Sequence, residues 1–228
     1  MLLHVAGVLT ADELAHCRQQ LVQAGLADGN ISAGHRSAPA AGNLQLPEDS
    51  PEARALGQLV LDALARNTTF FAGALPRHID PPRFHGHRGD GSLGLRVDSA
   101  IRYDRSGSAS VPIRTDISAT LFLNDPHEYE GGALVIEDAF GAHTVKLAAG
   151  DMILYPASSQ HRVEAVTRGE RLVSLFWIQS LVRDEQRRRM LLELDVSIQS
   201  LTQAHSPHSD VLRLTGIYHN LLRIWSET

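Results

Sequence analysis

The sequence predicts an α+β fold, mainly β, in which an antiparallel sandwich or small barrel is flanked by helices at both ends. Three observations point there. Between Gly131 and Arg171 short apolar runs are punctuated by Gly and Asp at intervals of roughly eight to twelve residues, as in antiparallel all-β units. Ahead of that stretch, apolar residues recur at helical spacing twice, which suggests helices layered on one sheet. Beyond Asp184 the period becomes helical again.

Taken in order, Val5 to Leu9 reads as a short strand, and Thr10-Ala-Asp-Glu13 matches a capping box that starts a helix. Leu14, Cys17, Leu21 and Ala24 form its apolar stripe, with Gly25 or Gly29 as the stop. Cys17 on that stripe reads as a small core residue. Residues 29 to 50, rich in Gly, Ser, Ala, Asn and Pro, read as loop. Ser50-Pro51 then caps a second helix whose buried stripe runs through Leu56, Leu59, Val60, Ala63 and Leu64. Pro81-Pro82-Arg83-Phe84 opens the strand region. His85-Gly-His-Arg-Gly-Asp-Gly91 suits a hairpin, and Leu93 to Ile101 reads as a strand on which Arg96 and Asp98 share a face. Arg105 to Ser110 reads as polar loop. Ile117 to Leu123 alternates as a strand, and a turn is expected at Phe140-Gly141. Met190, Leu191, Leu194, Ile198 and Leu201 predict one C-terminal helix, and Leu214, Ile217, Tyr218, Leu221, Leu222 and Trp225 another, with a break over 205 to 210. The tail's broad apolar stripe either packs back on the domain or forms a homodimer interface. The expected division is 1–77 as N-terminal flanking region, 78–180 as β domain and 181–228 as helical extension.

At 228 residues the chain can bury a full core, and its 43% apolar and 21% charged content is ordinary for a soluble domain. A net charge of -5 argues against nucleic-acid binding. A single cysteine excludes an internal disulfide and fits a reducing compartment. With no evident signal peptide and no run of 18 apolar residues, neither secretion nor a membrane is expected. The expectation is a cytoplasmic protein.

Strand alternation puts Arg171, Val173, Leu175 and Trp177 on one face. A guanidinium on an inward, otherwise apolar face needs an anion, because an unpaired buried charge is very costly. His161, ten residues earlier, could hold a metal on the same inner surface. Together they imply a site.

Three long runs carry a family resemblance: Glu130-Gly-Gly-Ala-Leu-Val-Ile-Glu-Asp138, Val145-Lys-Leu-Ala-Ala-Gly-Asp-Met-Ile-Leu-Tyr-Pro-Ala-Ser-Ser-Gln-His-Arg-Val163, and Val166-Thr-Arg-Gly-Glu-Arg-Leu-Val-Ser-Leu-Phe-Trp-Ile-Gln-Ser180. With Asp28-Gly29, Asn43-Leu-Gln-Leu-Pro47 and Leu214-Thr-Gly-Ile-Tyr-His-Asn-Leu-Leu222, the likeness covers nearly the whole chain. It resembles the PKHD-type hydroxylases, bacterial Fe(II)- and 2-oxoglutarate-dependent dioxygenases related to prolyl 4-hydroxylases. The resemblance implies a double-stranded β-helix, a jelly-roll or cupin-like core, over roughly residues 78 to 180. It implies Asp98 as metal carboxylate, His161 as distal metal histidine and Arg171 as the clamp on the 2-oxoglutarate carboxylate. It also implies a small-molecule or siderophore-type substrate, a link to iron uptake, and ascorbate as a further requirement. Two positions depart from the pattern. The first metal ligand, a histidine in the family, is Arg96, which has no lone pair to offer. The family's Asn-x-Tyr is His85-Gly86-His87. Three readings follow: His85 or His87 supplies the missing ligand, the site is a weakened one with Asp98 and His161 alone, or the scaffold binds something without oxygenase chemistry. An ion pair with Asp98 is the plain structural role for Arg96.

Other features read as structural. His4, His16, His78, His127, His143, His205, His208 and His219 show no ligand spacing. Asp151 reads as a turn former, and Glu137-Asp138 and Arg187-Arg-Arg189 as solvated faces.

Overall fold

In the computed structural model the described residues are 1–28, 42–89, 92–104, 107, 110–139, 141–204 and 209–228. The chain enters on β1 (Leu3–Val5) and helix α1 (Ala11–Ala24). The Thr10 hydroxyl accepts from the Glu13 N–H at 3.3 Å while Glu13 accepts from the Thr10 N–H at 2.9 Å, which is the reciprocal capping box. Gly25 stops the helix, and Cys17 is fully buried on its apolar face. After β2 (Ala27–Asp28), strand β3 (Asn43–Gln45) corrects the reading of this stretch as loop; residues 29–41 lie outside the described residues. Its two neighbours explain why a short polar segment extends: it pairs with β2 on one side and β5 on the other.

Helix α2 (Pro51–Ala65) is capped by the Ser50 hydroxyl, which accepts from the Ala53 N–H at 3.0 Å. A further helix, α3 (Thr68–Ala74), is too short for its periodicity to register in the sequence. The strands are β4 (Pro76–Ile79), β5 (Arg83–His87), β6 (Leu93–Arg96), β7 (Ile101–Asp104), β8 (Val111–Arg114) and β9 (Ile117–Phe122). They continue as β10 (Glu130–Gly131), β11 (Leu134–Asp138), β12 (Gly141–Val145), β13 (Met152–Pro156), β14 (Gln160–Val163), β15 (Val166–Arg168) and β16 (Arg171–Ser180). Helices α4 (Glu185–Ala204) and α5 (Ser209–Trp225) close the chain. Of the expected breaks, Arg105, Phe140, His205 and His208 lie outside the described residues, as do Gly29, Asp90 and Gly91.

Two expectations about the strands are corrected. Residues 85–87 do not turn a hairpin: β5 is an interior strand between β3 and β16. The strand expected from Leu93 to Ile101 stops at Arg96, and Asp98 sits just past its end.

The larger sheet runs β1-β13-β9-β16-β5-β3-β2, with β4 also pairing with β16; the smaller runs β12-β11-β14-β6. All pairings within both sheets are antiparallel. Alternation on the strands divides the core. Leu121, Phe176 and Ile178 face the helices, where Leu56, Val60 and Leu64 of α2 meet them. Phe122 and Val173 face the other way and pack with Leu134, Ile136 and Val163 of the smaller sheet. Between those facing sheets lies a pocket lined by polar side chains, and the buried Arg171 is part of it.

The tail packs back on the domain. Leu191 of α4 is buried with Leu75 and Val182, and Tyr218, Leu221, Leu222 and Trp225 of α5 cover them. The Glu227 N–H donates to the Leu181 carbonyl at 2.7 Å, and Arg114 pairs with the Glu227 carboxylate at 2.8 Å. Arg188, expected on a solvated face, is instead 3% exposed, and one of its guanidinium nitrogens donates to the Val182 and Arg183 carbonyls. Asp151 does more than turn the chain: its carboxylate accepts from the Gly7 N–H at 2.8 Å and pairs with His4 at 2.7 Å, which fixes the first strand.

Candidate active site between the two sheets

Four elements bring the expected site residues together. β16 contributes Arg171, β14 contributes His161, β6 contributes Arg96, and the segment after β6 contributes Asp98; all four line one pocket. The pairing registers explain the assembly. His161 is directly opposite Arg96 on β6 and opposite Ile136 on β11, so its ring faces the larger sheet from within the smaller one.

The imidazole of His161 is 2% exposed, and its Nδ1 lies 3.1 Å from the Ser159 carbonyl oxygen. A carbonyl can only accept, so the proton is on Nδ1 and the Nε2 lone pair is free. That atom faces Asp98, with Nε2 and Oδ1 3.8 Å apart. Burial lowers the His161 pKa, against the opposing pull of Asp98. The other Asp98 oxygen accepts from the Ser118 hydroxyl at 2.6 Å. A nitrogen and an oxygen thus converge with their lone pairs inward, each oriented by a second partner, as in metal sites built from histidine and carboxylate.

Arg96 does not join them. Among the described residues no ion pair within 4.0 Å links it to Asp98, so the plain structural role expected for it is not what the fold uses. Nor do His85 and His87 complete the set: among the described residues no group of three or more His, Cys, Asp or Glu is placed to hold a metal ion. The rings of His85 and His87 stack on each other at 6.4 Å on β5. Burial, then Arg83, pushes the His85 pKa down to about 3, while burial and then Arg171 drive His87 well below the ordinary value. Both rings are neutral at pH 7.

Arg171 is the most telling group. It is 1% exposed, yet its Nε and Nη1 have no hydrogen-bond partner. Burial lowers its pKa to about 10, so it keeps its charge at neutral pH. Opposite it on β5 stands His87, fully buried with both ring nitrogens unpaired. The Tyr129 hydroxyl, also unpaired, lies beside the guanidinium, and Lys146 stacks its ammonium on the Tyr129 ring at 3.9 Å. Gly132 makes room here. Its φ is 64°, and a Cβ on it would stand 3.1 Å from Arg171 Cδ and 3.0 Å from the Tyr129 ring. Unpaired buried donors around a cation define a place for an anionic, oxygen-rich group.

The sequence reading missed Ser118, Tyr129 and Tyr155, and it placed Trp177 on the Arg171 face without giving it a role. Tyr155 packs edge-on against His161 at 5.3 Å, and burial raises its pKa. Trp177 lies beneath Arg102 at 3.8 Å with its indole N–H unpaired. Ser118 carried a signal: with Thr120 it forms a polar alternation in a strand whose six residues are all buried.

Residues 72–179 match the family model described as the 2OG-Fe(II) oxygenase superfamily, and residues 184–227 match the PKHD-type hydroxylase C-terminal domain. A PKHD-type hydroxylase of Xanthomonas campestris pv. campestris is 55% identical over 227 residues, covering 100% of both chains. One from Saccharophagus degradans is 51% identical, again over 100% of both. Among solved structures, a 2OG-Fe(II) oxygenase family oxidoreductase from Burkholderia pseudomallei superposes with a TM-score of 0.54 at 19% identity, covering 77% of this chain and 82% of that one. HygX from Streptomyces hygroscopicus, solved with nickel, 2-oxoglutarate and hygromycin B, gives 0.53 at 16% identity, covering 77% and 81%. Full-length identity above half settles the kinship: the chain belongs to the PKHD-type hydroxylase family.

Proposed function

We propose that this chain binds 2-oxoglutarate in the pocket between the two sheets, with Arg171 pairing to the carboxylate farther from the keto group. The observation that carries this is the buried Arg171 guanidinium, whose Nε and Nη1 lack a partner. A guanidinium fork matches a carboxylate in bidentate fashion, and no neutral ligand would satisfy its charge. The solved relative with 2-oxoglutarate bound supports the choice of dicarboxylate. The two facing sheets, on this reading, are the halves of a double-stranded β-helix.

Asp98 Oδ1 and His161 Nε2 are the donors this site offers a divalent ion. Bound there, Fe(II) would supply the oxygen chemistry that the family name implies. The donor set is one short of a facial triad, because Arg96 stands at the position the family resemblance gives to histidine. A second reading is therefore favoured by a specific observation: the chain holds the dicarboxylate without hydroxylating anything. Full-length protein with Fe(II), ascorbate and labelled 2-oxoglutarate separates the two, since only an active oxygenase releases labelled carbon dioxide.

The binding reading has its own test. Arg171→Ala leaves a buried carboxylate without its partner and should cost about 2–5 kcal/mol of 2-oxoglutarate affinity by calorimetry. Equal affinity in the two proteins would remove Arg171 from the site.

A further inference from the structure

A second cation shares the pocket. Arg96 lies on β6 at the edge of the smaller sheet, across the gap from Arg171 on β16 of the larger one. Among the described residues it has neither a hydrogen bond nor an ion pair, although Asp98 is two residues away. The reason is local. Asp98 is turned to the Ser118 hydroxyl and to His161, so its carboxylate is engaged before Arg96 can reach it.

The charged side chains lining this pocket are therefore two guanidinium groups against one carboxylate. Lys146, next to Tyr129, adds a third positive group near Arg171. A divalent cation entering such a site would meet net repulsion, whereas a dianion would meet a guanidinium on each sheet. Both guanidiniums present planar forks suited to carboxylates, and in a water-poor cleft such charge-assisted bonds are strong.

We propose that this protein binds 2-oxoglutarate without a metal ion, Arg96 taking the keto-acid end of the ligand where a metal would otherwise hold it. The proposal rests on Arg171 being the anchor for the other carboxylate. Arg96 is then a ligand-binding residue, and the pocket is a metal-independent dicarboxylate receptor.

The test is calorimetric titration of 2-oxoglutarate into the full-length protein, freed of metal and held in EDTA, and again with Mn(II) in place of EDTA. Expected is saturable binding in EDTA, with an affinity unchanged to within about threefold by Mn(II), a shift of under 0.7 kcal/mol. Arg96→Met should weaken binding in EDTA by about tenfold or more, and Arg96→Lys, which keeps a charge but not the fork, by less. Binding seen only with Mn(II) overturns the proposal and leaves the Arg171 anchor standing. So does Arg96→Met binding as wild type while Arg171→Ala does not. If Arg171→Ala binds normally, or if wild type binds no 2-oxoglutarate in either buffer, the anchor itself is refuted and this proposal with it. The comparison of EDTA with Mn(II) needs no variant, so it decides the matter even if a substitution impairs folding.

Discussion

Arg96→His converts the one position at which this site departs from a three-donor set. Arg96 and His161 are directly opposite on β6 and β14, and side chains so placed have Cβ atoms about 4.5–5.5 Å apart, near enough for both to reach one ion. A guanidinium about 5 Å from a divalent ion repels it by ~7 kcal/mol at an effective dielectric of 20. Part of that is relieved when the arginine swings outward, which its half-buried edge position allows. The substitution removes the repulsion and adds a nitrogen donor beside Asp98 and His161. Mn(II) affinity should rise by a factor of about one hundred or more, equivalent to 2.7 kcal/mol. Arg96→Ala separates the contributions, gaining what the lost charge returns and nothing from ligation. Calorimetry and the paramagnetic resonance of bound Mn(II) both read the change. Equal Mn(II) affinity for wild type and Arg96→His would refute the claim that residue 96 controls the metal site, as would tight, full Mn(II) binding by wild type with Arg96 still inside.

Gly132→Ala should lower thermal stability by about 1–3 kcal/mol, because a Cβ at its positive φ meets both Tyr129 and Arg171; an unchanged melting curve would mean that this approach is looser than 3.1 Å. Deleting residues 182–228 strips α4 and α5 from Leu75 and removes Val182, so an insoluble or unfolded product is expected, whereas a soluble monomer by sedimentation would show the tail to be dispensable to the core. Acid sensitivity follows from the half-buried His85 and the buried His87. His85 and His87 resist protons in the folded state that the unfolded chain takes up below about pH 6.5, so their contribution is full above that pH and is lost as the pH falls toward their lowered values. Each can add up to ~1.4 kcal/mol per pH unit to the slope, so His87→Gln should flatten urea-derived stability between pH 6.5 and 5; an unaltered slope would place the proton uptake elsewhere.

Much of this architecture was legible because it depends on local chemistry. Thr10 and Glu13 carry their own helix start, and Ser50-Pro51 does the same for α2. Alternation along β16 sorted Arg171 and Trp177 from Leu172 and Phe176 without any knowledge of the partner strands. What escaped depends on neighbours distant in sequence. The glycine in His85-Gly86-His87 suggested a turn, but strands on both sides hold this segment extended. There a Cβ on Gly86 would meet only the ends of the Leu26 and Glu170 side chains, at 2.7 and 2.8 Å, which can move aside. Arg188 looked solvated because nothing in its own helix reveals that the Val182 and Arg183 carbonyls wait for it. Asp98 was assigned to a strand, whereas its place beyond the strand's end is what frees it to meet Ser118.

The position of Arg171 constrains every reading of the site more tightly than Arg96 does. An arginine at 1% exposure with two unpaired nitrogens is a cost the fold bears in the free state, since desolvating a cation without compensation is worth several kcal/mol even after relaxation. Neighbouring residues offset it only in part: the Phe122 ring lies 5.5 Å from the guanidinium and the Tyr129 hydroxyl beside it favours the charge, but neither is an anion, His87 is neutral and Lys146 is of the same sign. A purely structural role would be served better by an apolar side chain, which Val173 and Leu175 on the same face show to be compatible with this packing. The strain is relieved only by an anion from outside. Arg96 then decides how such an anion is held at its other end, by a metal that this residue repels or by the guanidinium itself.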